Sequence, residues 1–187
     1  MQNRPLPLPP RHLSRMGPTP LALVELAGAA IYCKLEFLNP SGSTKDRIAR
    51  FILEKAWREG RLAPGGMVIE ASSGSTSIAM ALACAQLGLR FTAVMPEGVS
   101  NERVLIIKAY GGLIRLTPQA AGIAGAIAET ERLAAECDGF LPRQFANPDN
   151  AQAHRVTTAR EILDQLPGSS VDAVVSGVGT GGTLVGL

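Results

Sequence analysis

Asn39-Pro40-Ser41-Gly42-Ser43-Thr44-Lys45-Asp46-Arg47 sets a single lysine at a junction between a strand and a helix. Upstream, Ile31-Tyr32-Cys33-Lys34-Leu35-Glu36-Phe37 alternates in polarity, the pattern of a half-buried strand. Downstream, Ile48, Phe51, Ile52 and Ala56 fall on one helical face, and Gly60 is a natural stop. Ser43 and Asp46 have capping-box spacing, so the helix is expected to begin at Lys45 or beside it. The lysine amine then lies near the positive end of a helix dipole, which disfavours its ammonium form. A neutral amine is what Schiff-base chemistry needs. Taken alone, a lysine in a first helical turn is usually just solvated.

Outward from this stretch, strand and helix patterns alternate. Leu21–Val24 is a short strand candidate, and 31–37 and a helix over 45–59 follow. Met67–Glu70 reads as a strand, and a helix over 76–87, apolar nearly all round and therefore buried, ends at Gly88. Phe91–Met95 and Leu113–Leu116 are further strands, separated by a helix from Asn101 to Tyr110. A helix over 121–136, a short strand at 139–141, a helix over about 150–166 and a strand at Asp172–Ser176 complete the chain. This alternation predicts an α/β fold, a parallel sheet with helices on both faces in three layers. Ligands of such sheets bind beyond the carboxyl ends of the strands. Three loops rich in Gly, Ser and Thr are expected at such ends, over 39–47, 71–77 and 177–183, on a common rim.

Gly179-Thr180-Gly181-Gly182-Thr183 is expected to open a helix, with N–H groups and hydroxyls turned inward to cradle a phosphate. A plain tight turn accounts for it equally well. Gly177, Gly179 and Gly182 fit the letters of the dinucleotide fingerprint, but no acidic residue follows. Ser72-Ser73-Gly74-Ser75-Thr76 also leaves a strand for a helix and could hold a carboxylate, although helix capping by itself explains its composition. Gln144 could donate to the same carboxylate, or sit in a surface loop. Jointly, a reactive amine, a phosphate cradle and a carboxylate cradle match an amino acid held on pyridoxal phosphate.

Composition excludes other classes. The 187 residues carry a net charge of +2 with the basic residues scattered, so nucleic-acid binding is not indicated. No window is apolar enough to span a membrane, and Met1–Pro10 reads as a flexible leader, not a signal peptide. Cys33, Cys84 and Cys137 read as reduced, buried thiols of a cytoplasmic protein. His12 and His154 lack neighbouring ligands, so no metal site is expected.

These motifs resemble the cysteine synthase and cystathionine β-synthase family, the fold-type-II pyridoxal-phosphate enzymes. The lysine stretch 39–47 resembles the family's lysine motif. Glu70 through Thr76 resembles its substrate-carboxylate loop. Met95-Pro96-Glu97, Ser100 through Arg103, Gln144 through Asn150 and Ser176 through Thr183 continue the series in order. The resemblance implies a tryptophan synthase β-like fold in which 46–154 form a smaller α/β domain. Residues 1–45 and 155–187 would belong to a larger domain that is only partly encoded. It implies pyridoxal 5′-phosphate as cofactor, with Lys45 carrying it and serving as base. Ser75, Gly179, Thr180, Gly181, Gly182 and Thr183 would contact the cofactor. Ser72, Ser73, Gly74, Thr76 and Gln144 would contact the substrate.

The implied reaction is β-replacement on an O-activated serine, such as O-acetylserine, with sulfide to give L-cysteine, in a cytoplasmic homodimer when full length. Two positions depart from the family pattern. Ser75 stands where Asn is usual and Ser77 where Gly is usual, a form resembling branches assigned to cysteine breakdown. A desulfhydrase-type β-elimination is therefore one alternative, and a non-catalytic binding protein is another.

Overall fold

The computed structural model describes residues 4–7, 16–168 and 170–187 of the chain. His12, read as no metal ligand, and the leader apart from residues 4–7 lie outside the described residues. Residues 4–7, expected to be free, are docked instead. Arg4 stacks over the Trp57 ring at 4.1 Å and donates to Leu62 O, while Trp57 Nε1 donates to Pro5 O at 2.9 Å. An indole N–H and a guanidinium face are both available there, and the prolines cost little entropy to order.

Two sheets form. Strands β1 (Leu21–Leu26) and β2 (Ala29–Lys34) make an antiparallel hairpin with Leu21 opposite Lys34. This hairpin departs from the all-parallel expectation. The expected strand 31–37 also ends early, because Glu36–Leu38 turns into a short 3₁₀ helix. Strands β3 (Met67–Ala71), β4 (Arg90–Pro96) and β5 (Leu113–Thr117) form a parallel sheet in the order β3-β4-β5, with Phe140 adding a single parallel bridge beside Val68.

Helix α1 (Lys45–Arg58) begins at the lysine, as expected. The cap itself differs. Ser43 Oγ accepts from the Lys45 amide, but Asp46 reaches past Ser43 to bond the Ser41 amide and hydroxyl at 3.0 and 2.6 Å. Helix α2 (Ser75–Leu87) is buried along most of its length and packs against α1 and β4. Helices α3 (Asn101–Ala109) and α4 (Gly122–Cys137) follow β4 and β5.

The single expected helix over 150–166 is two, α5 (Asp149–Val156) and α6 (Thr158–Gln165). They break at Thr157, whose φ is −122° and whose hydroxyl bonds Ala153 O at 2.6 Å. A threonine hydroxyl that takes a carbonyl one turn back competes with the helical ladder. Helix α7 (Gly182–Gly186) closes the chain.

The core lies between α1, α2 and the parallel sheet. Ile48, Ile52, Leu53, Val68, Met80, Phe91 and Met95 are buried there, and a smaller cluster beneath α4 contains Ile69, Val94 and Ala126. The expected strand Asp172–Ser176 does not form: Asp172 is a bend, the residues after it are irregular and unpaired, and Val175 is 96% exposed. A strand exists only by exchanging hydrogen bonds with a neighbour, and none runs alongside among the described residues. Cys84 is buried as expected, Cys33 is half-buried, and Cys137 is exposed at the end of α4. No helix among the described residues is long and apolar enough to cross a membrane.

Candidate active site

The chemistry of the site starts from Lys45 in the first turn of α1. Its amine has no hydrogen-bond or ion-pair partner among the described residues. Burial holds its pKa below the ordinary lysine value. Desolvation favours the neutral amine. The Lys45 charge in turn bears on His154 of α5. Burial first, and then the charges of Lys45 and Arg47, push that imidazole down to about 4. The ring is neutral at pH 7, with Nδ1 2.9 Å from Thr158 Oγ1 and Nε2 3.2 Å from Thr183 Oγ1. Lys45 and Thr183 thus share one histidine as neighbour.

The serine loop leaves the carboxyl end of β3 and enters α2, as expected. Of the three loops it alone follows a strand of the parallel sheet. The 39–47 loop follows the 3₁₀ turn, and the 177–183 loop follows the unpaired segment. Ser72 is buried, and its Oγ accepts from the Gly74 amide at 3.2 Å. Ser77 Oγ donates to Ser72 O at 2.7 Å. Ser73 is half-buried and its carbonyl takes the Arg103 guanidinium at 3.0 Å, while Ser75 is exposed at the head of α2.

Gln144 is 4% exposed, so it is no surface-loop residue. It accepts from Thr76 Oγ1 at 2.6 Å and donates from Nε2 to Ala71 O at 2.8 Å. Its amide bonds Glu70 Oε2 at 3.2 Å, and Glu70 Oε1 accepts from the Ala71 amide. Burial, only partly offset by backbone bonds from Gln144, Ala71 and Arg143, pushes the Glu70 carboxyl up to about 7.

From Gln144 the line continues. Asn150 Nδ2 donates to Gln144 O at 2.9 Å and to Thr180 Oγ1 at 2.8 Å. Thr76, Gln144, Asn150 and Thr180 therefore join the serine loop to the glycine loop in one run of hydrogen bonds. The two loops, separated by a hundred residues in sequence, are brought together by α5, which packs against both α1 and α7. On Gly179 and Gly181 no atom lies within 4 Å of where a Cβ would be, which leaves their backbone open to a ligand. Gly182 is different. A Cβ there would run into Asn150 Oδ1, so only glycine lets α7 approach α5.

Glu70, Asn150 and His154 escaped the sequence reading as site residues. Glu70 and Asn150 lie inside motifs that carry the resemblance, and that placement was their only signal. His154 has no neighbouring ligands in sequence, and its buried, hydroxyl-bonded setting has no periodic signature. Among the described residues no group of three or more His, Cys, Asp or Glu could hold a metal ion.

An unpartnered amine, a run of hydroxyls and open backbone N–H groups form a donor set that fits an aldehyde bearing a phosphate. Residues 13–187 match the pyridoxal-phosphate dependent enzyme family, and the chain belongs to that family, whose fold-type-II architecture it shares. Cysteine synthase from Staphylococcus aureus is 44% identical over 176 residues, covering 92% of this chain. Among solved structures, O-ureido-L-serine synthase superposes with a TM-score of 0.89 at 41% identity, covering 93% of this chain and 56% of that one. A hydrogen sulfide-producing enzyme from Fusobacterium nucleatum superposes with a TM-score of 0.85 at 39% identity, covering 91% of this chain and 58% of that one. The chain spans 57% of the length of the Staphylococcus aureus relative.

Proposed function

We propose that the chain carries the pyridoxal-phosphate site of a β-replacing enzyme that converts an O-activated serine, such as O-acetylserine, and sulfide into L-cysteine. The supporting observation is the hydrogen-bonded run from Thr76 through Gln144 and Asn150 to Thr180, which joins a carboxylate-type loop to a phosphate-type loop. In this reading Gly179, Thr180, Gly181, Gly182 and Thr183 would hold the phosphate, Ser75 would contact the cofactor, and Lys45 would bond its aldehyde.

Bound pyridoxal phosphate supplies an electron sink for charge at the substrate Cα. The chain's residues do the rest. Ser72, Ser73, Gly74, Thr76 and Gln144 bind the substrate carboxylate and fix which bond at Cα is presented. Burial lowers the Lys45 pKa and so favours the free amine, the form that can take the Cα proton as a general base. The net reaction breaks Cβ–O and forms Cβ–S. The family resemblance further supports residues 46–154 as a smaller domain, a cytoplasmic setting and a homodimer for the full-length protein.

A second reading is a cysteine desulfhydrase, favoured by Ser75 and Ser77 in the serine loop and by the likeness to the hydrogen sulfide-producing enzyme. Turnover of cysteine alone, set against turnover of O-acetylserine with sulfide, separates the two. The reading as a whole is tested by treating the chain with pyridoxal phosphate, reducing with borohydride and mapping the labelled peptide. The label is expected on Lys45 and absent in Lys45→Ala. A label retained in that variant, or no label at all, overturns the reading and favours a non-catalytic binding role.

A further inference from the structure

We propose that Asn150 is a positioning residue that makes the Thr180 hydroxyl an obligate donor toward the phosphate. The inference rests on the reading of 179–183 as the phosphate loop.

Asn150 is 4% exposed, and its amide orientation is decided by its neighbours. The Gln144 carbonyl can only accept, so the group 2.9 Å from it must be Nδ2. The same Nδ2 lies 2.8 Å from Thr180 Oγ1, which must therefore accept from it. The Gly182 amide makes a second, longer approach to that oxygen at 3.5 Å. A hydroxyl that accepts in this way keeps one proton to donate, and the Thr180 proton has no acceptor among the described residues. Gly179 and Gly181, on either side of Thr180, have no atom within 4 Å of where a Cβ would be, so a ligand can approach the loop there.

The cost of the arrangement is visible. Asn150 Oδ1 is buried with no hydrogen-bond partner, and it occupies the space where a side chain on Gly182 would be. A buried carbonyl left without a donor destabilises the fold. Orienting an anion-binding hydroxyl is a return that a purely structural asparagine would not provide. The Gln144 end of the same amide sets the loop that carries the substrate-binding glutamine, so the two cradles are held in one register.

The test compares pyridoxal phosphate with pyridoxal, which has the same aldehyde and no phosphate, by equilibrium absorbance titration and borohydride capture. Asn150→Asp replaces a donor by an acceptor and is expected to weaken pyridoxal phosphate at least tenfold while changing pyridoxal less than twofold. Thr180→Val should show the same selective loss without touching Asn150, and Thr180→Ser should restore it. Asn150→Ala on the Thr180→Val background should add no further selective loss. An unchanged ratio of the two affinities in both Asn150→Asp and Thr180→Val, or additive losses in the double variant, overturns the inference while leaving the functional reading intact. A wild-type chain that captures neither aldehyde overturns the reading and the inference together.

Discussion

Glu70 shows how one buried carboxyl can tie site geometry to pH. Its two oxygens hold the amides of Ala71 and Gln144, and its pKa is raised from 4.5 to about 7. Between those values the folded chain binds a proton that the unfolded chain does not. Stability therefore falls as pH rises from about 4.5 toward 7, and levels off above it. A shift of this size corresponds to about 3 kcal/mol across the window. Denaturant unfolding of wild type and Glu70→Gln, measured from pH 4.5 to 8, should show the wild-type advantage shrinking as pH rises. A constant difference between them would remove the proton linkage. Lys45 and His154 sit in the same buried environment, and each is held below its ordinary pKa chiefly by that burial.

At the scale of elements, α7 stands or falls by close approach to α5. A Cβ on Gly186 would meet Ala151 O at 2.5 Å and His154 Cβ at 2.6 Å, and backbone cannot retreat as a flexible side-chain end can. Gly186→Ala is expected to push α7 off α5 at a cost of about 1–3 kcal/mol. The readout is amide exchange at Val185 and Leu187, whose bonds to Gly181 O and Thr183 O hold the helix. Both amides should lose protection. Val185→Ala, at an exposed position, should leave the exchange of Leu187 unchanged. Loss of this packing would also separate Thr180 and Thr183 from Asn150 and His154, which is how a small helix reaches the site.

Across the whole molecule, Arg47 joins the hairpin region to α6. Its guanidinium is 3% exposed and bonds Glu36 at 2.6 and 2.7 Å and Glu161 at 2.7 Å, with Thr19 alongside. Burial pushes the two carboxyls up, but the Arg47 bonds outweigh it and hold both below the ordinary glutamate value. Lys34 adds a second cation on Glu161 at 2.8 Å. Removing the arginine leaves two partly buried carboxylates facing each other. Arg47→Met should therefore cost about 3 kcal/mol in urea unfolding. Adding Glu161→Gln to that variant should recover part of the loss, since one stranded charge disappears. A loss below 1 kcal/mol would mean that solvent already screens this cluster.

Much of the molecule was legible in the residues. The start of α1 at Lys45, the three parallel strands, buried α2 and the helix opened by the late glycine loop all follow from apolar period and turn residues, which act over a few positions. The antiparallel hairpin, the break at Thr157 and the unpaired 172–176 segment were not legible, because pairing and local side-chain competition do not alter hydrophobic period. The sequence alone determined which donors and which amine the chain carries, since residue type settles that chemistry. Only the tertiary structure decided that they meet: the Thr76 bond to Gln144 spans 68 residues and the Asn150 bond to Thr180 spans 30. Contacts at that separation depend on how helices pack, and burial, which sets the protonation of Lys45, His154 and Glu70, exists only once they have packed.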